Sequence, residues 1–235
     1  MNESTPSRRM NTTLNRRHFI AAAGMAAVAA STSSSKAAEA GAAPLKIIGV
    51  ACSPRKGMTT AKAVQAALEA ARAVDARIQT ELLDLGGLNI HGHSPTPIND
   101  DFNPLMAKFT DPAFGGLIIG SPSYFRTMSA LCKAFIERCY ALRDPKNVFA
   151  NKPVGVVAVA GNRNGGQELI IQQIQAAMIS FNMFIVGGNS PAYLGGTLVA
   201  SKDDISTDEV GLDSARKTGA RVAQVVLRLA GLTAG

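Results

Sequence analysis

Cysteine is scarce in this 235-residue chain: Cys52, Cys132 and Cys139 are the full set. An odd number excludes complete internal pairing. Cys132 and Cys139 fall on one expected helix, and at about 1.5 Å per residue their Cα atoms stand roughly 10 Å apart, beyond the roughly 7 Å that a disulfide bridges. No disulfide framework is available, so the thiols read as small apolar core residues. Long hydrophobic runs are missing as well. No stretch reaches the about 20 apolar residues that a bilayer-spanning helix needs. Basic blocks of the kind that track a nucleic-acid backbone are also absent. These absences set aside a disulfide scaffold, a membrane-spanning helix and a basic run that would track nucleic acid.

The first 40 residues differ in composition from the rest. Arg8-Arg9 and Arg16-Arg17 precede a short Ala-rich run at 19–30, and Ala38-Glu39-Ala40 closes the segment. A charged start, a short apolar middle and a small-residue end form the pattern of an export signal. Asn15-Arg16-Arg17-His18-Phe19-Ile20 resembles a twin-arginine signal, a route that exports proteins already folded. The expectation is a cleaved signal at 1–40, a periplasmic mature chain and no stable membrane insertion after cleavage. The whole chain carries a formal charge of +7; residues 41–235 keep 19 Lys/Arg against 15 Asp/Glu, or +4. Their length suits one domain with a full core.

From residue 45 onward, apolar runs alternate with helical patterns. Strands are expected at 45–51, 77–85, 116–120, 153–160 and 182–187. Helices are expected at 60–74, from Asp100-Asp101 to about 109, and at 128–142, 167–180 and 209–230. Continuous apolar strands alternating with helices point to an α/β fold with a parallel sheet covered on both faces. Right-handed crossovers then bring every strand's C-terminal end to one edge, where open α/β sheets bind ligands.

Three unusual loops converge on that edge. The first, Ser53-Pro54-Arg55-Lys56-Gly57-Met58-Thr59-Thr60, runs from a strand into a helix N-terminus. The free N–H groups and the dipole of that terminus favour an anion. Ser53, Thr59 and Thr60 add hydroxyls, and Arg55 and Lys56 add charge. The loop lacks G-x-x-x-x-G-K-[ST] and G-x-G-x-x-G, so a single phosphate group is the natural guest; the same loop also fits an ordinary turn whose Ser and Thr cap the helix. The second loop, Ser121-Pro122-Ser123-Tyr124-Phe125-Arg126-Thr127, offers backbone amides to a flat polar ring edge and aromatics to its faces. Its plainer reading is a proline turn with aromatics docked in the core. The third, Gly161-Asn162-Arg163-Asn164-Gly165-Gly166, permits close approach of backbone to a ligand, or is a simple glycine-rich turn.

The first loop resembles the S-P-R-x-x-G-N-[TS] phosphate loop of the NADPH-dependent FMN reductase family, within the flavodoxin-like superfamily. Gly120-Ser-Pro-Ser-Tyr-Phe125 and Lys133-Ala-Phe-Ile-Glu-Arg138 are similar to its G-[ST]-P-[VI]-Y-[FW] loop and K-x-F-[IL]-[DE]-R helix. Gly165-Gly-Gln-Glu168, the run at 181–187 and Gly211-Leu212 with Ala215-Arg216 and Gly219 resemble the family's third loop, last strand and closing helix. The resemblance implies a flavodoxin-like, doubly wound five-stranded parallel sheet of order 2-1-3-4-5 that binds FMN and assembles as a dimer or tetramer. It implies Ser53, Arg55, Lys56, Gly57, Met58, Thr59 and Thr60 at the phosphate, Pro122, Ser123, Tyr124 and Phe125 at the ring, and Gly161, Asn162, Arg163 and Gly166 along its far side. It further implies ping-pong hydride transfer from NADPH or NADH, through FMN, to a quinone, flavin or similar small aromatic acceptor, with no catalytic side chain required. An exported electron carrier reduced by a protein partner, and an FMN-free module on the same fold, are the competing readings.

Two departures stand out. The iron–sulfur flavoprotein branch carries cysteines in the loop after the second strand, whereas residues 88–98 here contain none. Iron–sulfur ligation relies on thiolates, so no cluster is expected. His91 and His93 in that loop lack a neighbouring carboxylate or third ligand and read as a solvated turn rather than a metal site. Met58-Thr59 replaces the usual Gly/Asn-Thr/Ser, which leaves the backbone donors in place.

Overall fold

Six parallel strands and five α-helices alternate along residues 44–233, the part of the chain that the structure, a computed structural model, describes. The signal expected at 1–40 lies outside the described residues. The order is β1 (Leu45–Ala51), α1 (Thr59–Arg72), β2 (Ile78–Asp84), a 3₁₀ turn (Asn103–Leu105) leading into α2 (Met106–Phe109), β3 (Phe114–Pro122) and α3 (Ala130–Arg138). Then come β4 (Pro153–Ala160), α4 (Gln167–Ile179), β5 (Phe184–Ile185), β6 (Gly196–Val199) and α5 (Glu209–Leu229).

The sheet runs β2-β1-β3-β4-β5, with β6 also paired to β4. This is the flavodoxin-like order expected from the sequence. Each central strand feeds two cores, because successive side chains leave opposite faces of the sheet. Ile48, Val50, Leu117, Ile119, Val154 and Val156 point toward α3 and α4, among Phe102, Phe109, Phe135 and Phe149. Ile47, Ala51, Ile118, Val157 and Val159 point toward α1 and α5. The second core is thin. A Cβ at Gly120 would lie 2.2 Å from Val64 Cγ2, and one at Gly219 would lie 1.9 Å from the Ala67 carbonyl oxygen. Backbones approach closely there because no side chain intervenes.

The fifth strand differs from the expected single run at 182–187. β5 pairs only with Pro153 and Val154 at the start of β4. The chain then leaves the sheet at 186–195, where Gly188 N–H donates to the Ala192 carbonyl at 2.7 Å, and returns as β6 beside Val157–Ala160. Gly187-Gly188 and Pro191 break the pairing, since glycine weakens a strand and proline has no ladder donor. The outward N–H groups of β6 are covered from within: Thr197 N–H donates to Ser214 Oγ at 2.9 Å and Val199 N–H to Asp208 Oδ2 at 2.6 Å. Covering an edge this way blunts pairing with another chain.

The helix expected to start at Asp100-Asp101 also contracts. Asp100 Oδ1 accepts from Phe102 N–H at 3.1 Å, a local turn that competes with a helical start, and regular α-helix begins only at Met106.

Candidate functional site

Each of the three loops starts where an apolar strand ends, because backbone that leaves the ladder must find side-chain, backbone or solvent partners. In loop 1, Ser53 is buried, at 2 % exposure, and its Oγ accepts from Arg55 N–H at 3.1 Å. Gly57 takes φ +70° and donates its N–H to Asp84 Oδ2 at 2.6 Å, so this amide faces the end of β2 rather than an incoming anion. A Cβ on Gly86 would lie 2.4 Å from Lys56 Cα, which seats loop 1 against the β2 exit. Met58 is the N-cap of α1, in extended conformation, and no side chain caps that terminus.

Thr59 and Thr60 are both buried. Among the described residues, Thr60 Oγ1 is the buried side-chain polar atom with no hydrogen-bond partner. A buried hydroxyl left unsatisfied costs about 1–3 kcal/mol. At an uncapped helix N-terminus, an anion would supply the missing partner and meet the free N–H groups together.

Arg55 reaches away from loop 1. Its Nη1 lies 2.7 Å from Asp203 Oδ1, and that carboxylate, with the Tyr124 hydroxyl nearby, pushes the guanidinium further up. Asp203 sits on a two-residue turn, Lys202 at φ +48° and Asp203 at φ +62°, closed by Ser201 and Asp204. The β6–α5 connection is therefore a fourth loop at the site. Sequence reading passed over it because β6 itself was not anticipated.

In loop 2, Pro122 ends β3 in the core and Ser123 N–H continues the ladder to the Val159 carbonyl at 2.7 Å. Tyr124 and Thr127 exchange hydrogen bonds at 3.1 Å around Phe125 (φ +53°) and Arg126 (φ +66°). Two left-handed central residues give the type I′ pattern, which a phenylalanine adopts only under constraint. Phe125 is fully exposed and Tyr124 is 39 % exposed, so neither docks into the core. The proline-turn reading with buried aromatics does not describe this loop.

Three ties bring the loops together. The Ser123 hydroxyl donates to the Gly165 carbonyl, joining loops 2 and 3. Arg126 Nη1 donates to the Asn164 carbonyl at 2.9 Å, joining them again. Ser129 Oγ donates to the Cys52 carbonyl at 2.6 Å, joining loop 2 to the start of loop 1. In loop 3, the Asn162 carbonyl accepts from Gly165 N–H and from Gln167 Nε2 at 2.8 Å; Gln167 also reaches the Leu198 carbonyl on β6. Gly161 and Arg163 are exposed. Gly166 caps α4 at φ +97°, and a Cβ there would lie 2.8 Å from Arg126 Cα, so glycine is required twice over.

The residues that sequence reading missed are Asp84, Ser129 and Asp203, and it quoted Arg126 and Gln167 within the loops without assigning them a role. Ser129, three residues before Cys132, carries a recognisable N-cap signal; the others act through tertiary contacts alone.

The loop at 86–99 is held by carboxylates. His93 N–H donates to Glu137 Oε2 at 2.8 Å, His91 N–H to Asp100 Oδ2 at 2.9 Å, and Asp100 is in turn paired with Arg138 in a nearly buried ion pair. The three thiols are buried elsewhere, in the core. The residues of this loop do not suit an iron–sulfur cluster, which needs thiolate ligands.

A family model described as NADPH-dependent FMN reductase matches residues 45–194. An iron–sulfur flavoprotein of Methanocaldococcus jannaschii is 36% identical over 193 residues, covering 77% of this chain and 97% of the relative. An iron–sulfur flavoprotein of Archaeoglobus fulgidus is 32% identical over 201 residues, covering 79% of this chain and 100% of the relative. Among solved structures, RosB with a bound 8-demethyl-8-formylriboflavin-5′-phosphate superposes with a TM-score of 0.64 at 12% identity, covering 80% of this chain and 81% of that one. A flavodoxin-like, WrbA-like protein of Agrobacterium tumefaciens gives 0.56 at 17% identity, covering 80% of this chain and 99% of that one. Loop sequences, strand order and these likenesses agree: the chain belongs to the NADPH-dependent FMN reductase family.

Proposed function

We propose that the protein is an exported FMN-dependent oxidoreductase that takes electrons from NADPH or NADH and passes them to a quinone, a flavin or a similar small aromatic acceptor. The observation that carries the reading is Thr60 Oγ1, buried and without a partner at the uncapped N-terminus of α1. A phosphate monoester satisfies that hydroxyl and the first-turn N–H groups together. FMN, when bound, supplies the hydride- and electron-transfer chemistry.

The chain's own residues bind and orient. Ser53, Thr59 and Thr60 with the α1 terminus would hold the phosphate. Pro122 and Ser123 would meet a ring edge at the end of β3, Tyr124 and Phe125 would cover it, and Gly161, Asn162 and Gly166 would allow close backbone approach. Lys56 gives loop 1 a positive charge that favours an anionic ligand, while Arg55 is paired with Asp203. The twin arginines at 16–17 support export, and assembly as a dimer or tetramer accompanies the reading by family likeness.

The test is an absorption spectrum of the purified mature chain with an FMN titration, followed by NADPH or NADH in the same cuvette. Saturable FMN binding and bleaching by the nicotinamide support the oxidoreductase. FMN binding with bleaching only by dithionite favours an electron carrier reduced by a protein partner. A chain that binds no FMN overturns both. Sedimentation of the same sample reads the assembly state.

A further inference from the structure

Arg55 and Asp203 stand on loops whose strands are not neighbours. Arg55 follows β1 and Asp203 follows β6, and β3 and β4 lie between those strands in the sheet. At about 4.8 Å per neighbouring strand, the two exits are roughly 14 Å apart. The 2.7 Å ion pair between them therefore passes over the exits of β3 and β4, from which loops 2 and 3 arise. The Tyr124 hydroxyl of loop 2, close to the same guanidinium, marks the crossing.

Both ends of this span are fixed except at their tips. Loop 1 is anchored where Ser53 Oγ accepts from Arg55 N–H and where Gly57 N–H donates to Asp84, which leaves the Arg55 side chain as its free arm. The turn at 201–204 is anchored on one side by Ala200 N–H, which donates to the Ala160 carbonyl at 2.7 Å. On the other side Ile205 is buried in the core. Between them Ser201 and Asp204 exchange hydrogen bonds at 2.8 and 3.0 Å, and Lys202 and Asp203 take φ +48° and +62°. Residues other than glycine are strained in that region and persist there where a contact holds them. The ion pair to Arg55 is such a contact. Its strength separates a permanent brace from a latch. The two side chains are 46 % and 58 % exposed, and a pair so exposed favours its closed geometry by a factor of about five at most, less in salt. Such a contact keeps the closed form in the majority without pinning the loops.

We infer that the Arg55–Asp203 pair is a latch across the flavin site: closed, it spans the exits of β3 and β4, and it opens before a planar ring can lie there. Asp203 is thus a gating residue, and the turn at 201–204 is the part that yields. The inference rests on the oxidoreductase reading, because the place it guards is the one assigned there to the flavin. A ligand that binds only the open form has its apparent affinity lowered by the fraction of chains that are closed.

The test titrates riboflavin fluorescence with the whole chain at low and high sodium chloride. Riboflavin has no phosphate, so salt acts on the latch and not on an attraction between ligand and loop 1. The unaltered chain is expected to bind riboflavin about threefold more tightly at high salt. At low salt Arg55→Gln and Asp203→Asn should each bind it about threefold more tightly than the unaltered chain, without salt dependence, and the double variant no more tightly than either. The exchanged pair, Arg55→Asp with Asp203→Arg, should return to the original affinity. Single variants that bind equally or more weakly, additive effects, or an unaltered chain indifferent to salt would overturn the latch. A second readout needs no ligand: hydrogen exchange at the Ser201 and Asp204 amides should be about threefold faster in Arg55→Gln, and unchanged exchange overturns the latch as well. A chain that shows the faster exchange but binds neither riboflavin nor FMN would keep the latch and remove the flavin reading, so the two failures are distinct.

Discussion

Ser129 Oγ donates a 2.6 Å hydrogen bond to the carbonyl of Cys52, a residue 77 positions earlier in the chain. The same oxygen accepts the Cys132 N–H at 3.0 Å as the N-cap of α3. One hydroxyl thus starts a helix and locks the exit of β1 to the exit of β3. Ser129→Ala removes the cap and strands a buried carbonyl, so the expected loss is about 2 kcal/mol in urea unfolding. Ser129→Gly restores backbone freedom at the cap but not the bond to Cys52, and recovers only part of it.

Thr60→Val separates stability from binding, with opposite signs. The substitution keeps the shape and removes a buried hydroxyl that has no partner. The ligand-free chain should gain about 1 kcal/mol in thermal or urea unfolding, whereas affinity for FMN should fall about tenfold. A loss of stability in the ligand-free chain would mean that the hydroxyl has a partner in solution, and would remove the main support for the phosphate site.

Gly219→Ala offers a second sign test. In an exposed helix the change would stabilise, since alanine is the better helix former by about 1 kcal/mol. Here the new Cβ would stand 1.9 Å from the Ala67 carbonyl oxygen. Helices α1 and α5 must part, and a net loss of about 2–3 kcal/mol is expected. The unfolding midpoint of the variant decides between the two effects.

Acid should release the loop at 86–99 before the sheet unfolds. The Glu137 carboxyl is held below its usual 4.5 by its bond to Lys133 first and by the His93 N–H second. A lowered carboxyl contributes its stabilisation above the ordinary value and loses it as pH falls through the folded one. The His93 amide resonance should therefore shift below about pH 4.5, while resonances from β1 and β3 stay in place. Glu137→Gln should leave the His93 amide insensitive across the same range.

Much of the fold was legible because a parallel sheet buried on both faces needs continuous apolar strands, and 45–51 and 153–160 declare themselves on that ground alone. Boundaries moved where local chemistry competed: Asp100 folds back on Phe102 and delays the helix, and Gly187-Gly188 with Pro191 cut the fifth strand in two. The short run Gly196–Val199 carries only four residues of pattern, too few to separate a strand from a loop. With β6 unseen, the turn that brings Asp203 to Arg55 was unseen too.

The sequence by itself determined the alternation of strands and helices and which loops meet at one edge, through hydrophobic period, crossover handedness and local turn chemistry, while the strand order followed from the motifs that resemble the family. Only the tertiary structure decided what those loops do with their polar groups. Arg55 meets Asp203 across 148 residues, Gly57 is claimed by Asp84, Thr60 is left without a partner, and Arg126 joins Arg163 around one cavity. Local propensity carries no information about such pairs; they arise from how closely the glycine-lined faces of β1 and β3 let α1 and α5 pack, and from where the split fifth strand returns to the sheet.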